Sequence, residues 1–519
     1  MTPALGLAAI SILLWVVSMP PWGMAEAAYL ALVPWLLYCL NQPRWKPLLV
    51  GLFLSSWAGW IAVLYWLRHV TMVGMLALAA LMALFFVAWG AWTRWQLAEL
   101  QGRGYLTRLR VFAGCAAAWV LLEQLRGVLL SGFPWAPFAL SQWERPVLLQ
   151  VAAWTGSHGI SALLVFFNLL IAWSLWQRFR SSTGKSIKTW FSPELYTALG
   201  LLLVVIFLFF RIFPERLQQE PLFRVGFVQP YIPANLKWEP DEANAVLQVL
   251  ERQTQLVGYM QPGVVLWPEA VTPWPALGND LMRDWIESLV EELDVPVLMG
   301  NLAVFREIPS WYNAAFVVHP ESGLATEFYS KRKLVPFGEF VPLRRWVPFI
   351  DKLVPVGDDF QRGRDPSLLS LQLATRADAL KVGPLICYED VFPHLARASV
   401  RAGADFLFVA TNNAWFGEGG GAYQHAAHSV LRAVETRRPV LRCGNGGWSG
   451  WIDEWGSIRY VLTDERGSIY FRGGGVVDVK RSSIWTGRLS FYTRYPYLFT
   501  LFCGALVLSV IRRKHFLLV

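Results

Sequence analysis

Charge is scarce in this sequence. Asp, Glu, Lys and Arg make up 16% of its 519 residues, against roughly a quarter in an ordinary soluble domain, so a wholly water-exposed chain is excluded. Cysteine is sparse too: Cys39, Cys115, Cys387, Cys443 and Cys503 are scattered along the chain. An odd, dispersed set is no disulfide framework, and without a CxxC pair it holds no cysteine metal motif. No metal or cofactor is expected. A single Cys387–Cys443 bridge stays open. The formal charge is +9, but no arm-like block of basic residues produces it, so nucleic acid is not an expected partner. The first apolar run lacks a charged leader region and is followed at once by another run, unlike a cleavable signal peptide.

Hydrophobic residues are abundant instead, at 55%, and they are concentrated in residues 1–212 and 494–511. Seven long apolar runs, near 4–20, 24–40, 48–66, 73–93, 111–130, 148–176 and 195–212, precede a more polar region, and an eighth covers 494–511. Each approaches the roughly 17–25 residues that cross a bilayer as a helix. About eight spans in an α-helical bundle are therefore expected. Basic residues cluster in alternate loops, with Arg44 and Lys46, then Arg94, Arg103, Arg108 and Arg110, then Arg178, Arg180, Lys185 and Lys188, and finally Arg512, Arg513 and Lys514. This bias places both termini in the cytoplasm and residues 213–493 on the outer side, the periplasm of a diderm bacterium. The stretch EQLRGVLLSGFPWAPFALSQW (123–143) puts Glu123 and Arg126 at membrane depth, where ionisable groups are costly and mark either function or helix packing. Phe133, Trp135 and Trp143 suit an interfacial aromatic belt.

From about residue 222 the pattern changes. FRVGFVQP, GVVLWPEA, VPVLMGNLA, YNAAFVVHP, LATEFYSKR, VGPLICYED, ADFLFVATNN, RPVLRCGNGG and GWIDEWG read as short strands, punctuated by Gly, Pro, Asn and Asp. Helices are expected over 240–260, 279–294, 392–402 and 422–437, the second with Leu281, Trp285, Leu289 and Leu293 at helical spacing. Alternation of this kind predicts a layered α/β domain. The organisation is thus a transmembrane region over 1–212, an extracytoplasmic α/β domain over 213–493, and a last span with a basic tail over 494–519.

Chemistry gathers where apolar strands end. Glu269 ends VVLWPEA, Lys331 follows ATEFYS and Cys387 follows VGPLI, and strand C-terminal ends are where α/β enzymes build sites. A cysteine nucleophile needs a base for its proton and a cation to favour the anion and a later oxyanion. Glu, Lys and Cys supply these roles. They are 62 and 56 residues apart (331 − 269 and 387 − 331), so only tertiary folding can assemble them. Each residue also has a plain alternative: a helix cap for Glu269, a solvated basic face for Lys331, a packed thiol for Cys387.

The motifs WPEA, YSK with LVPFGEFVP, CYED and NNAWFG resemble the nitrilase (carbon–nitrogen hydrolase) superfamily, with its Glu-Lys-Cys site on an α-β-β-α sandwich. LVPFGEFVP, the flanking spans and SGFPW resemble more specifically the apolipoprotein N-acyltransferase family, over nearly the whole chain. The resemblance implies Glu269 as general base, Lys331 as catalytic lysine and Cys387 as nucleophile. It implies supporting or substrate-binding roles for Glu339, Glu389, Tyr388, Asn313, Trp238, Trp415 and Phe416. On an extended strand Glu389 shares a face with Cys387, where its charge opposes thiolate formation and Lys331 offsets it; Asp390 begins the following helix. The implied reaction passes an acyl chain from a membrane phospholipid, through a cysteine thioester, to the α-amine of a diacylglyceryl-cysteine at an apolipoprotein N-terminus. A membrane-tethered nitrilase-type amidase and a related acyltransferase with another acceptor are the alternatives. The apolar loop WVPFIDKLVPV (346–356) either dips into lipid or is an ordinary buried loop. Three stretches depart from the family pattern: QPYIP (229–233), TNNA (411–414) and RCGNGGWS (442–449).

Overall fold

The computed structural model describes residues 2–98, 100–181, 192–233, 236, 240–305, 310–342, 344 and 359–511. Trp238, the loop 346–356 and the basic tail beyond 511 lie outside the described residues. The chain forms two compact units, Met1–Phe213 with Arg494–Val519, and Pro214–Thr493.

The first unit is helical. Among the described residues, Trp45–Val63, Met72–Leu97, Tyr105–Arg126, Ser157–Arg180 and Pro193–Leu217 are long and apolar enough to cross a membrane. The runs at 4–20, 24–40 and 494–511 form shorter helices, so length alone does not reach the expected count of eight. The run 24–40 is broken into a 3₁₀ turn, Ala25–Tyr29, and a new helix, Val33–Leu40, with proline in its first turn, where the missing N–H costs nothing. Gly59 lets the helix Thr2–Ser18 approach Trp45–Val63: a Cβ there would lie 2.2 Å from Ile12 Cγ2. Glu123 accepts hydrogen bonds from Trp119 Nε1 and the Phe138 backbone N–H, both 2.8 Å, and so anchors the SGFPWAPF stretch. Trp135 and Trp143 are buried, with Trp135 packed 5.0 Å from Trp66. They pack inside the unit and do not form the interfacial belt expected of them.

Among the described residues the second unit has thirteen strands: β1 (Gln219–Gln229), β2 (Val264–Trp267), β3 (Val297–Phe305), β4 (Ser310–His319), β5 (Gly323–Leu324), β6 (Tyr329–Ser330), β7 (Leu369–Leu371), β8 (Leu380–Ile386), β9 (Phe406–Thr411), β10 (Val440–Gly444), β11 (Gly450–Ile452), β12 (Ile458–Val461) and β13 (Gly473–Ser482). One sheet runs β13-β1-β2-β3-β4-β5, with β6 beside β4; the other runs β12-β11-β10-β9-β8-β7. The centres are parallel (β1–β2–β3 and β8–β9–β10) and the edges antiparallel. Strands buried on both faces read as nearly continuous apolar runs, which is how VVLW, FLFVA and VGPLI stand in the sequence.

Alternate residues of both sheets meet in one core, with Val225, Phe227, Leu266 and Val317 against Val382, Phe406, Phe408 and Leu441. The opposite faces of β1–β4 pack under the helices Ala243–Gly258 and Asp280–Leu293. The helices Pro393–Arg401 and Gly420–Thr436 cover β8 to β11. The result is an α-β-β-α sandwich. Asn279 caps its helix by accepting from Met282 N–H at 3.0 Å. That helix buries Met282, Ile286, Leu289 and Val290, while Leu281 is exposed; the apolar stripe expected through Leu281 is rotated by about one residue. Cys443 lies in the inter-sheet core, donating to the Val228 and Leu266 carbonyls, and all five cysteines are free, so the Cys387–Cys443 bridge does not form.

Candidate active site

Three strand ends converge. Pro268 and Glu269 follow β2, Lys331 follows β6, and Cys387 follows β8. Gly300 on β3 makes room for the first of these, since a Cβ there would lie 2.7 Å from Glu269 Cα; a side chain at that position would push the end of β2 away. Asn313 on β4 completes the group, its carbonyl accepting from the Lys331 N–H at 2.8 Å.

Two donors and two acceptors then alternate. Lys331 Nζ donates to Glu269 Oε1 at 3.0 Å and to Glu339 Oε1 at 2.7 Å. Asn313 Nδ2 donates to the same two oxygens, each at 2.8 Å. Glu339 is held from its other oxygen by the Val335 N–H, 2.8 Å, and Glu269 by the Asn412 N–H, 3.0 Å. Lys331 is 1% exposed. A buried ammonium survives only with such partners, and here the Glu269 and Glu339 charges override burial and raise its pKa. Burial pushes the Glu269 carboxyl up, but the Lys331 charge and hydrogen bonds from Asn313, Lys331 and the Cys387 thiol outweigh it, leaving the pKa below the ordinary carboxylate value.

Burial and the neighbouring Glu269 charge push the Cys387 thiol up to about 12, against the opposing pull of Lys331, the Thr411 hydroxyl and the Asn412 N–H. The resting cluster is therefore a protonated thiol beside an ionised carboxylate and an ammonium. Cys387 sits at φ +51°, a left-handed backbone that costs a non-glycine residue about 1–3 kcal/mol, and the residue as a whole is partly buried.

Glu389 is not on an extended strand. Cys387–Val391 is a 3₁₀ turn, and Glu389 is fully buried within it. Its Oε1 accepts from the Arg332 and Lys333 N–H groups at 2.6 and 3.0 Å, and its Oε2 from the Ile386 N–H and Tyr329 Oη at 2.8 and 2.6 Å. This carboxyl, its pKa raised by burial, ties the Cys387 turn to the turn carrying Lys331. Glu389→Gln places an NH₂ against at least one backbone N–H in either amide orientation. A loss of about 1–3 kcal/mol is expected in thermal unfolding of the purified protein; an unchanged transition would contradict this anchoring role.

The structure scatters the other candidates. Tyr388 packs edge-on against Phe392, centroids 5.0 Å apart. Trp415 and Phe416 lie in the turn Asn413–Phe416, Trp415 exposed and Phe416 6.1 Å from the His425 ring. Asp390 does not begin the helix, which starts at Pro393; it is buried, ion-paired to Arg442 at 2.6 Å, with the His425 Nε2 2.8 Å away. Thr411, the last residue of β9, and Asn412 enter the sequence reading only through the strand ADFLFVATNN, the motif NNAWFG and the departing stretch TNNA, and His425 is not singled out in it. Of the departing stretches, Asn413 is buried and accepts from Thr411 Oγ1 at 3.0 Å.

Comparison with known proteins agrees with this architecture. Residues 11–170 match the family model described as apolipoprotein N-acyltransferase N-terminal domain, and residues 224–471 the carbon–nitrogen hydrolase model. The apolipoprotein N-acyltransferase of Geobacter metallireducens is 30% identical, covering 98% of this chain and 95% of that protein. Those of Shewanella oneidensis and Rhizobium etli are 29% and 28% identical, covering 77% and 97% of this chain and 73% and 94% of theirs. Among solved structures, a nitrilase-superfamily member from Saccharomyces cerevisiae is similar at 17% identity and a TM-score of 0.38, covering 54% of this chain and 96% of that one. With a relative at 30% identity aligned from end to end, the chain belongs to the apolipoprotein N-acyltransferase family.

Proposed function

We propose that the chain transfers an acyl chain from a membrane phospholipid to the α-amine of a diacylglyceryl-cysteine at an apolipoprotein N-terminus, through a thioester on Cys387. The observation that carries the reading is a buried carboxylate, Glu269, paired to Lys331 at 3.0 Å with the Cys387 thiol beside it, in a chain with five helices, among the described residues, fit to span a membrane. Cys387 Sγ attacks the donor ester carbonyl while Glu269 takes the thiol proton. The tetrahedral oxyanion collapses, the lysophospholipid leaves as an alcohol with that proton, and Cys387 keeps the acyl group. The acceptor amine then attacks the thioester, Glu269 receives an amine proton, and the thiol is restored as the amide departs. Lys331 spends two N–H bonds on Glu269 and Glu339; the third is left to meet the oxyanion. The clustered arginines of alternate loops support a periplasmic placement of the α/β unit with both termini cytoplasmic.

Purified protein given phospholipid and a diacylglyceryl peptide is expected to yield N-acylated peptide and lysophospholipid. Release of free fatty acid alone, with the peptide unmodified, would make water the second nucleophile and support the amidase alternative. Acylation only of some other amine would support the related acyltransferase.

A further inference from the structure

The turn that carries Cys387 is held from one side by a single helix. His425, Ser429 and Arg432 stand at i, i+4 and i+7 of the helix Gly420–Thr436, hence on one face, and all three are buried. His425 Nε2 lies 3.0 Å from the Cys387 carbonyl oxygen and 2.8 Å from Asp390 Oδ1. Both neighbours are acceptors, so Nε2 must carry a proton. Its other nitrogen, Nδ1, lies 3.0 Å from Asn413 Oδ1. Asp390 is fixed in turn, its Oδ2 accepting from Arg442 Nη1 at 2.6 Å and from Ser429 Oγ at 2.5 Å. Arg432 Nη1 donates to the Asp390 and Val391 carbonyls, both at 3.0 Å. Three carbonyls of one short turn are thus gripped by side chains, and the first belongs to the residue with the left-handed backbone.

We propose that His425 is a positioning residue that holds Cys387 in its left-handed conformation by donating its Nε2–H to the Cys387 carbonyl, the Asp390 carboxylate beside the same nitrogen favouring the proton there. The inference rests on the reading of Cys387 as the nucleophile. With its positive φ, Cys387 presents its carbonyl to the helix, 3.0 Å from His425 Nε2, while its thiol stands beside Glu269. Without the Nε2 donor the turn is free to relax towards an ordinary backbone, carrying the sulfur off the line of attack. The carboxylate and ammonium, anchored to other strands, stay where they are. A loss of positioning therefore lowers the rate of thioester formation without weakening phospholipid binding, which a general loss of stability would not do selectively.

The test compares His425→Gln with His425→Asn in the full chain. A glutamine amide nitrogen reaches the place of Nε2; an asparagine nitrogen reaches only that of Nδ1. Single-turnover acylation by a phosphatidylethanolamine is followed by intact mass, with the adduct mapped to the Cys387 peptide, alongside KM and thermal unfolding. The Gln variant is expected within about threefold of wild type and the Asn variant slower by roughly 10- to 100-fold at unchanged KM, the scale of a small misplacement of a reacting atom. Equal rates in the two variants, or losses that simply follow their unfolding temperatures, would overturn the proposal. Should neither fold, Ser429→Ala removes one anchor of Asp390: slower acylation at unchanged KM supports the proposal and a wild-type rate overturns it. Wild type that forms no adduct on Cys387 would instead sink the reading of the nucleophile, so the two failures are told apart.

Discussion

Cys387→Ala is expected to fold and to lose acyl transfer by at least about 10⁴-fold, the order seen when a covalent nucleophile is deleted. No acyl adduct should appear on the protein after exposure to phospholipid. The substitution removes one small, partly buried sulfur and no charge, so unfolding should shift little. Serine keeps the shape but not the chemistry: a hydroxyl resists ionisation far more than a thiol, and Glu269 is a weak base for it. The same variant settles the resting protonation state. The thiol is pushed up to about 12, so it stays neutral below that value, while Glu269, held below the ordinary carboxylate range, stays ionised. The difference in thiolate ultraviolet absorbance between wild type and Cys387→Ala should be absent between about pH 6 and 9 and grow only at higher pH. A thiolate signal at neutral pH would show a standing Cys387–Lys331 ion pair and remove the need for Glu269 as base. Residual acyl transfer by Cys387→Ala near the wild-type rate would dismiss the thioester altogether.

What could be read in advance followed from burial. The central strands are covered on both faces, so they stand out as apolar runs, and Glu269 and Cys387 follow the ends of two of them. The four helices expected in the α/β unit fall within a few residues of where the sequence pattern puts them. The strand β13 was invisible because GGGVVDVK is half-polar and glycine-rich, and it is ordered by pairing with β1. Glu389 was misplaced because a 3₁₀ turn follows the strand at Cys387. The partners of its carboxyl, Tyr329, Arg332 and Lys333, come from a segment more than fifty residues away. The face bearing His425, Ser429 and Arg432 looks solvent-exposed in sequence, since polar residues at helical spacing normally face water; only the fold shows Asp390 and Arg442 waiting behind it. Trp135 and Trp143 mislead for the opposite reason: aromatic residues near a span end suit a headgroup belt by composition, yet here the polypeptide covers them.

Lys331→Met should damage both rate and stability, with the stability defect depending on pH in a defined direction. Methionine matches the length of the lysine stem, so the loss is electrostatic. Glu269 and Glu339 would then face each other across the Asn313 amide with no cation between them. Removing one partner of a buried ion pair costs about 3–5 kcal/mol, and losing the ammonium that meets an oxyanion costs about 10²–10³ in rate. In wild type the folded pKa of Glu269 is depressed, so its contribution is present above the unfolded value of about 4.3 and is lost as pH falls through the folded one. The folded pKa of Lys331 is raised, so its contribution is complete below about 10.4 and is lost only as pH rises beyond it. The pair is therefore intact across the neutral range. In the variant, burial is no longer opposed by Lys331, and the like charge of a second carboxylate adds to it, so the Glu269 pKa rises above its unfolded value. The folded variant then binds more protons than the unfolded chain, and acidification stabilises it. Thermal unfolding of wild type and variant in the same detergent should accordingly show a gap that narrows from about pH 8 to about pH 5. A gap that stays constant, or widens on acidification, would mean that the Glu269 carboxylate does not depend on Lys331 for its charge.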